Sequence, residues 1–237
     1  MIGGAYVPRQ SCTEPERTAA FKLAQFSRKF LTHRMFMPDR LVIINQQFDD
    51  KDCVIYGLLA FFSNKMSRPR HELAIRNLLG PSKNGYFVSN VMEKIESFYN
   101  VRHAVVASFL PDNASYDLKG LLRAADNTLK KSPLYAGDDP KETAMQIKDA
   151  IEHLRPTRFL IVQYWWYQGV SFSHMSVLRK REKHGAWLFV DSLGLEPYPL
   201  KTFVKKCHTR QRAFQVIALE KEGEVNLMRA VKVEVED

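Results

Sequence analysis

The sequence predicts a fold of the α+β class, with a helical N-terminal half followed by an antiparallel sheet. Two observations carry that prediction. Helical spacing of apolar residues dominates to about position 154, and short β-rich runs dominate from 158 onward. Neither an internal repeat nor a low-complexity stretch interrupts the 237 residues, so a single domain is expected.

Taken in order, positions 1–13 read as an arm. Over 14–34, Ala20, Phe21, Ala24, Phe26, Phe30 and Leu31 recur near helical spacing. An apolar run at 41–44 precedes a polar turn that ends at Asp52, and Cys53 opens an apolar segment reaching Met66. A helix over 70–79 stops at Gly80-Pro81, and another spans 88–99 with Val91, Met92, Ile95 and Phe98 on its apolar side. A strand is expected over 103–110 and helices over 115–131 and 140–154. Asp139, Pro140 and Glu142 mark the last of these as a capped start. Strands follow at 159–168, 173–179, 186–192, 213–219 and 228–235, with a helix at 199–206. The chain thus divides into an arm and helix (1–40), a central-helix region (41–66), a helical insert or cap (67–157) and a sheet half (158–237).

Composition narrows the classes. A content of 45% hydrophobic and 11% aromatic residues excludes a disordered chain. No apolar run approaches the roughly 18–20 residues that cross a bilayer. The first residues lack the basic-then-apolar pattern of a secretory signal. A soluble protein is expected, cytoplasmic or delivered into a host cell without a cleavable signal. Cys12, Cys53 and Cys207 are odd in number and widely spaced, which argues against a zinc knuckle or a disulfide framework. No Gly-rich phosphate loop occurs, and the remaining histidines show no ligand spacing, so no cofactor or metal is implied.

The net charge of +9 gathers in three clusters, at 68–71, 179–184 and 205–212. Solvated surface is the preferred reading of these, with an acidic partner as the functional one. No RNP-like motif or zinc-finger spacing supports specific nucleic-acid readout.

The chemistry centres on Cys53. Apolar residues surround nearly the whole circumference of 54–62, so the helix that Cys53 opens must be buried on most sides. A thiol in the first turn meets the positive end of the helix dipole, which favours the thiolate, and free backbone N–H groups that can hold an oxyanion. The plainer reading is a small core cysteine. Gln47, six residues earlier, can supply a side-chain donor to the same oxyanion, with Gln46 competing for the role. His174 is placed at a strand start after a turn over 168–173, and Asp191 ends the next strand. A hairpin joining them through 181–184 sets Asp191 directly opposite His174. A tighter turn at His184-Gly185 would instead set it opposite Leu178. The first is preferred because it puts a carboxylate beside the imidazole, fixing its tautomer and steadying the imidazolium. A polar strand end and a turn aspartate are the bland alternatives. Other readings are weaker: Cys207-His208 lies in a basic run that reads as surface, and Trp165-Trp166-Tyr167 reads as core strand packing ahead of a substrate groove.

The order Gln47, Cys53, His174, Asp191 resembles the papain-like cysteine hydrolases. The stretches His174-Met175-Ser176-Val177 and Trp187-Leu188-Phe189-Val190-Asp191-Ser192-Leu193 are similar to the second half of Josephin-type deubiquitinases and to bacterial effector proteases and deamidases. Relatives whose order is His, acidic residue, Cys are excluded. The resemblance covers about half the chain, and residues 1–40 and 67–150 match nothing. It implies a papain-like fold and a thiol hydrolase acting on a protein substrate, ubiquitin-like or host-derived: a protease, deubiquitinase or glutamine deamidase, with transglutaminase-like enzymes close by. Asp52 and Val54 depart from the small residues usual beside such a cysteine. They leave open an inactive papain-fold adaptor that uses its basic surface on an acidic partner.

Overall fold

Nine of the ten residues of the first described helix, α1 (Cys53–Phe62), are buried. A helix apolar on all sides has no face to offer water, so the fold must enclose it. The computed structural model describes residues 52–62, 68–81, 86–128, 134–135, 139–154, 156–180, 185–193 and 196–221. The helix expected over 14–34, the run at 41–44 and the strand over 228–235 lie outside these. After α1 come α2 (Arg68–Leu79), α3 (Val88–Tyr99), β1 (Val101–Phe109), α4 (Tyr116–Thr128), β2 (Leu134–Tyr135) and α5 (Pro140–Glu152). The chain continues with β3 (Arg158–Tyr167), β4 (Val170–Lys180), β5 (Trp187–Val190), β6 (Tyr198–Pro199), α6 (Leu200–Thr209) and β7 (Ala213–Lys221). The start of α5 is built as its sequence suggests, with the Asp139 carboxylate accepting from the Lys141 N–H at 2.7 Å and a proline in the first turn.

The fold is mixed α and β, compatible with the α+β class. Among the described residues, one seven-stranded sheet runs in the order β2-β1-β7-β3-β4-β5-β6. It is not wholly antiparallel. β2 pairs with β1 in parallel, because α4 carries the chain back across the sheet between them. Nor does the sheet respect a division at 157. β1 lies between β2 and β7, pairing with β7 from Val101↔Lys221 to Phe109↔Phe214. The stretch 67–157 is therefore no separate cap, since it supplies an inner strand.

Strand alternation separates two cores. Leu160, Val162 and Tyr164 of β3 and Met175 and Val177 of β4 pack with α1, α2, α3 and α4 on one face. Phe159 and Ile161 of β3 and Leu178 of β4 pack with α5 and α6 on the other. A strand covered on both faces reads as a continuous apolar run, which is how 159–162 reads. Each fully buried large apolar side chain, such as Ile55, Leu58, Phe61 or Phe159, contributes roughly 1.5–3 kcal/mol. No described helix is long and apolar enough to cross a membrane.

The β3–β4 hairpin differs from its expected form. β3 and β4 pair without interruption from Arg158↔Arg179 to Tyr167↔Val170. Only Gln168 and Gly169 make the turn, with φ of 49° and 78°. Two successive positive φ values are what a two-residue hairpin turn with the strands' own twist requires. Residues 170–173 consequently belong to the strand, and His174 sits well inside β4 rather than at its start. The core ends before the hairpin does. Trp166 is 40% exposed and Tyr167 60%, which corrects the expectation that this aromatic run is core packing.

Gly57 decides how closely α1 approaches β4. A Cβ there would lie 2.8 Å from Met175 Cγ and 3.1 Å from its carbonyl oxygen. Gly57→Ala is expected to cost about 1–3 kcal/mol by overpacking. The side chain can move aside, but the carbonyl can yield only with the strand, so α1 is pushed from β4. Chemical denaturation would measure the loss, and an unchanged midpoint would refute the tight contact.

Candidate active site

Cys53 stands at the first position of α1, half-buried, where the buried helix emerges. Among the described residues, the first backbone donor to find its acceptor four residues back is Tyr56 N–H, on the Asp52 carbonyl at 3.0 Å. The N–H groups ahead of it are the ones every helix start leaves unpaired within the helix. Val54 N–H turns to the Cys53 sulfur, and so does Met175 N–H from β4. That second donor is accessible because β5 pairs with β4 only at Val177–Lys180, leaving the preceding part of β4 as an edge among the described residues. The sulfur thus lies along a strand edge, within hydrogen-bond reach of His174.

His174 Nε2 and Asp191 Oδ1 are 2.6 Å apart. With Nε2 so engaged, Nδ1 is the ring nitrogen left for the sulfur. The imidazole is 6% exposed and the aspartate side chain 18%, so water competes weakly for their bond. The register joining them is neither of the two the sequence suggested. Val177 pairs with Val190, Leu178 with Phe189 and Lys180 with Trp187. Carried one step further, this sets Asp191 opposite Ser176, two residues from His174. The contact survives because side chains repeat every two residues along a strand. A slip of two keeps the carboxylate on the imidazole's face, and diagonal neighbours are within reach.

Opposing effects set the charges. Burial pushes the Cys53 thiol up, but the bond and charge of His174, then the N–H groups of Met175 and Val54, outweigh it and hold the thiol below its ordinary range. Burial pulls the His174 imidazole down, yet Asp191 and Cys53 together push it up to about 9. Burial likewise raises Asp191. The bond and charge of His174, the Leu193 N–H at 3.1 Å and the Arg212 guanidinium reverse this and hold it below the usual carboxylate range. Sulfur, ring and carboxylate therefore favour a thiolate beside an imidazolium.

Asp52, whose charge beside the thiol should oppose a thiolate, is paired elsewhere. Its carboxylate meets Arg76 of α2, which also holds Glu72 at 2.9 Å. Val54 is a core residue, 4% exposed. Gln47 and its competitor Gln46 lie outside the described residues, as does Cys12. Cys207 faces the α5–α6 core, 2% exposed, with its thiol pushed far up by burial; it does not share the site. His103 is bound to Glu96 at 2.8 Å. Among the described residues, no cluster of three or more His, Cys, Asp or Glu side chains could hold a metal.

Several contributors were not foreseen from sequence. The Met175 N–H carries no side-chain signature. Arg158 and Arg179, 1% and 2% exposed, lie opposite each other on β3 and β4, although Arg179 reads as part of an exposed basic cluster. They point at the far end of α1, with Arg158 Nη1 2.8 Å from the Phe61 carbonyl oxygen and Arg179 Nη1 3.5 Å from that of Ala60. Cations suit the negative end of a helix. Their signal is an arginine directly abutting each apolar run, which for Arg179 is obscured by the basic residues that follow it.

No family model, curated protein or solved structure matches the chain.

Proposed function

We propose that the chain is a papain-like thiol hydrolase that cleaves an amide or isopeptide bond of a protein substrate. The observation that carries this reading is the convergence of Cys53, at the start of a buried helix, with a His174 ring bound to Asp191. His174 takes the thiol proton at Nδ1, and the sulfur attacks the carbonyl carbon. The oxygen of the resulting tetrahedral centre gains the negative charge, within reach of the Cys53 N–H. Gln47 is the second donor expected from sequence. The imidazolium returns its proton to the leaving nitrogen, the C–N bond breaks, and an acyl-thioester remains. His174 then deprotonates a water molecule, whose oxygen displaces the sulfur and frees the carboxylic acid. Asp191 holds the Nε2 proton throughout and steadies the charged ring. Peptidase, deubiquitinase and glutamine deamidase share these steps and differ in what the cleft admits. The Asp52–Arg76 pair gives the carboxylate beside the thiol a cation partner, which supports the hydrolase reading over an inactive adaptor.

Iodoacetamide labelling across pH, resolved by mass spectrometry, tests the reading. Cys53 is expected to label at a lower pH than an ordinary thiol, because its thiol lies under the ordinary range, while buried Cys207 stays unlabelled in the folded protein. Hydrolysis should follow a bell. Its acid limb reports loss of the thiolate, and its alkaline limb falls at about 9, where His174 loses the proton it must donate. Equal labelling of Cys12, Cys53 and Cys207 would defeat the proposal. A ubiquitin-family electrophilic probe that modifies the wild type but not Cys53→Ala would select the deubiquitinase branch.

A further inference from the structure

The face of the β3–β4 ribbon that carries His174 continues outward as an apolar stripe. Side chains alternate between the faces of a strand, and the register pairs Gln163 with His174, Trp165 with Phe172 and Tyr167 with Val170. These residues form three successive rows on one face, leading from the turn to the imidazole. Away from His174 the stripe is open: Tyr167 is 60% exposed, Val170 53% and Phe172 40%. The middle row is ordered, with Trp165 and Phe172 stacked at 5.5 Å and 8°.

Along its flank the stripe turns cationic. The Arg212 guanidinium lies 4.3 Å over the Trp165 ring and also acts on the Asp191 carboxylate. Lys206 Nζ lies 3.8 Å over the Tyr198 ring, and Tyr198 in turn feels the charges of Asp191, Arg210 and Arg212. Three cations therefore gather on the Asp191 side of the site, and α6, which contributes Lys206, contains no acidic residue. Among the described residues the edge of β4 before Val177 is open, and an open strand edge beside large apolar groups invites pairing with another chain.

We propose that this stripe and its flanking cations are the docking surface for an extended segment of the protein substrate, one that carries a large apolar side chain next to acidic ones. The inference rests on the reading of Cys53 as the nucleophile, and it names what that nucleophile is offered. Two features select this occupant. The stripe runs directly into His174, and the flank gives a charge complement to carboxylates. An extended segment would add main-chain bonds along the β4 edge that is open among the described residues, while alternate side chains meet the aromatic rows.

The test uses the full chain and fluorescent peptides of equal length, read by anisotropy. One alternates Glu and Phe, one Glu and Ser, one Lys and Phe, and oligo-dT of matching charge is run alongside. The Glu/Phe peptide is expected to bind roughly tenfold more tightly than either single-feature peptide, to weaken with salt, and to slow iodoacetamide labelling of Cys53. Tyr167→Ser with Val170→Ser, and separately Lys206→Glu with Arg210→Glu, should each weaken it by roughly tenfold. Circular dichroism melts check that both variants are folded. Equal binding by wild type and variants overturns the proposal. So does preferential binding of oligo-dT, which would make the surface a nucleic-acid site, or a dimer dispersed by the Tyr167/Val170 pair, which would make it a self-association face. Peptide-free labelling of Cys53 reports the nucleophile separately. A reactive Cys53 with no peptide preference overturns the docking surface alone, whereas an inert Cys53 overturns the hydrolase reading and leaves the peptide comparison to decide the surface.

Discussion

Replacing His174 with alanine is expected to lower hydrolysis by roughly 10²–10⁴-fold, the usual contribution of a general base. It should also move the pH at which Cys53 alkylates upward into the range of an ordinary buried thiol. The reason is the balance at the sulfur. Burial alone would raise the thiol, and the bond and charge of His174 are the largest effects opposing it. With the ring gone, Met175 and Val54 supply only two backbone dipoles against that burial. The stability of the wild type relative to the variant should change with pH in a defined direction. A folded-state value of about 9, above the ordinary 6.5, means His174 contributes stability that is fully present below about 6.5 and lost as pH rises through about 9. The wild type should thus lose stability over that interval relative to the variant, as seen in denaturant midpoints at each pH. Labelling of Cys53 at neutral pH that is equally fast with and without the ring would show that the two groups do not act together.

Arg158→Leu should destabilise the protein by about 3 kcal/mol, the upper range for a hydrogen bond from a charged group. That is a large share of a total in the region of 5–15 kcal/mol. For a domain of this size it corresponds to a fall in Tm of roughly 6–12 °C. Arg158 is 1% exposed, and its guanidinium donates to the Phe61 carbonyl at the end of α1. Leucine fills part of the space but leaves that carbonyl short of a donor and removes a cation from the negative end of the helix dipole. The helix that carries Cys53 is thereby loosened at its far end. Cys53 labelling at neutral pH is expected to slow in the same variant at temperatures where it is still folded. An unchanged Tm in scanning calorimetry would count against the arginine as an anchor of α1.

Much of this protein is legible in its residues because the relevant forces are local. The unbroken apolar run after Cys53 requires a buried helix, and Asp139 with Pro140 marks a helix start that the structure places there. The pairing of His174 with Asp191 was also within reach, since a hairpin joining two strands close in sequence allows few registers. Even the wrong register kept the right face, because a shift of two residues preserves side-chain alternation.

What only the tertiary structure decided comes from contacts distant in sequence. Nothing near 101–109 says that this strand lies between β2 and β7, because strand order depends on which edges remain unpaired once the chain has folded. The pairing of Asp52 with Arg76, which gives the carboxylate beside the thiol a cation partner, depends on where α2 lies against α1. The aromatic run at 165–167 read as core because composition records how apolar a segment is, while exposure depends on where the packed layers end. Periodicity and capping act over a few neighbouring residues, and so they can be read along the chain. Electrostatic pairing and burial act through space, and only the folded arrangement sets them.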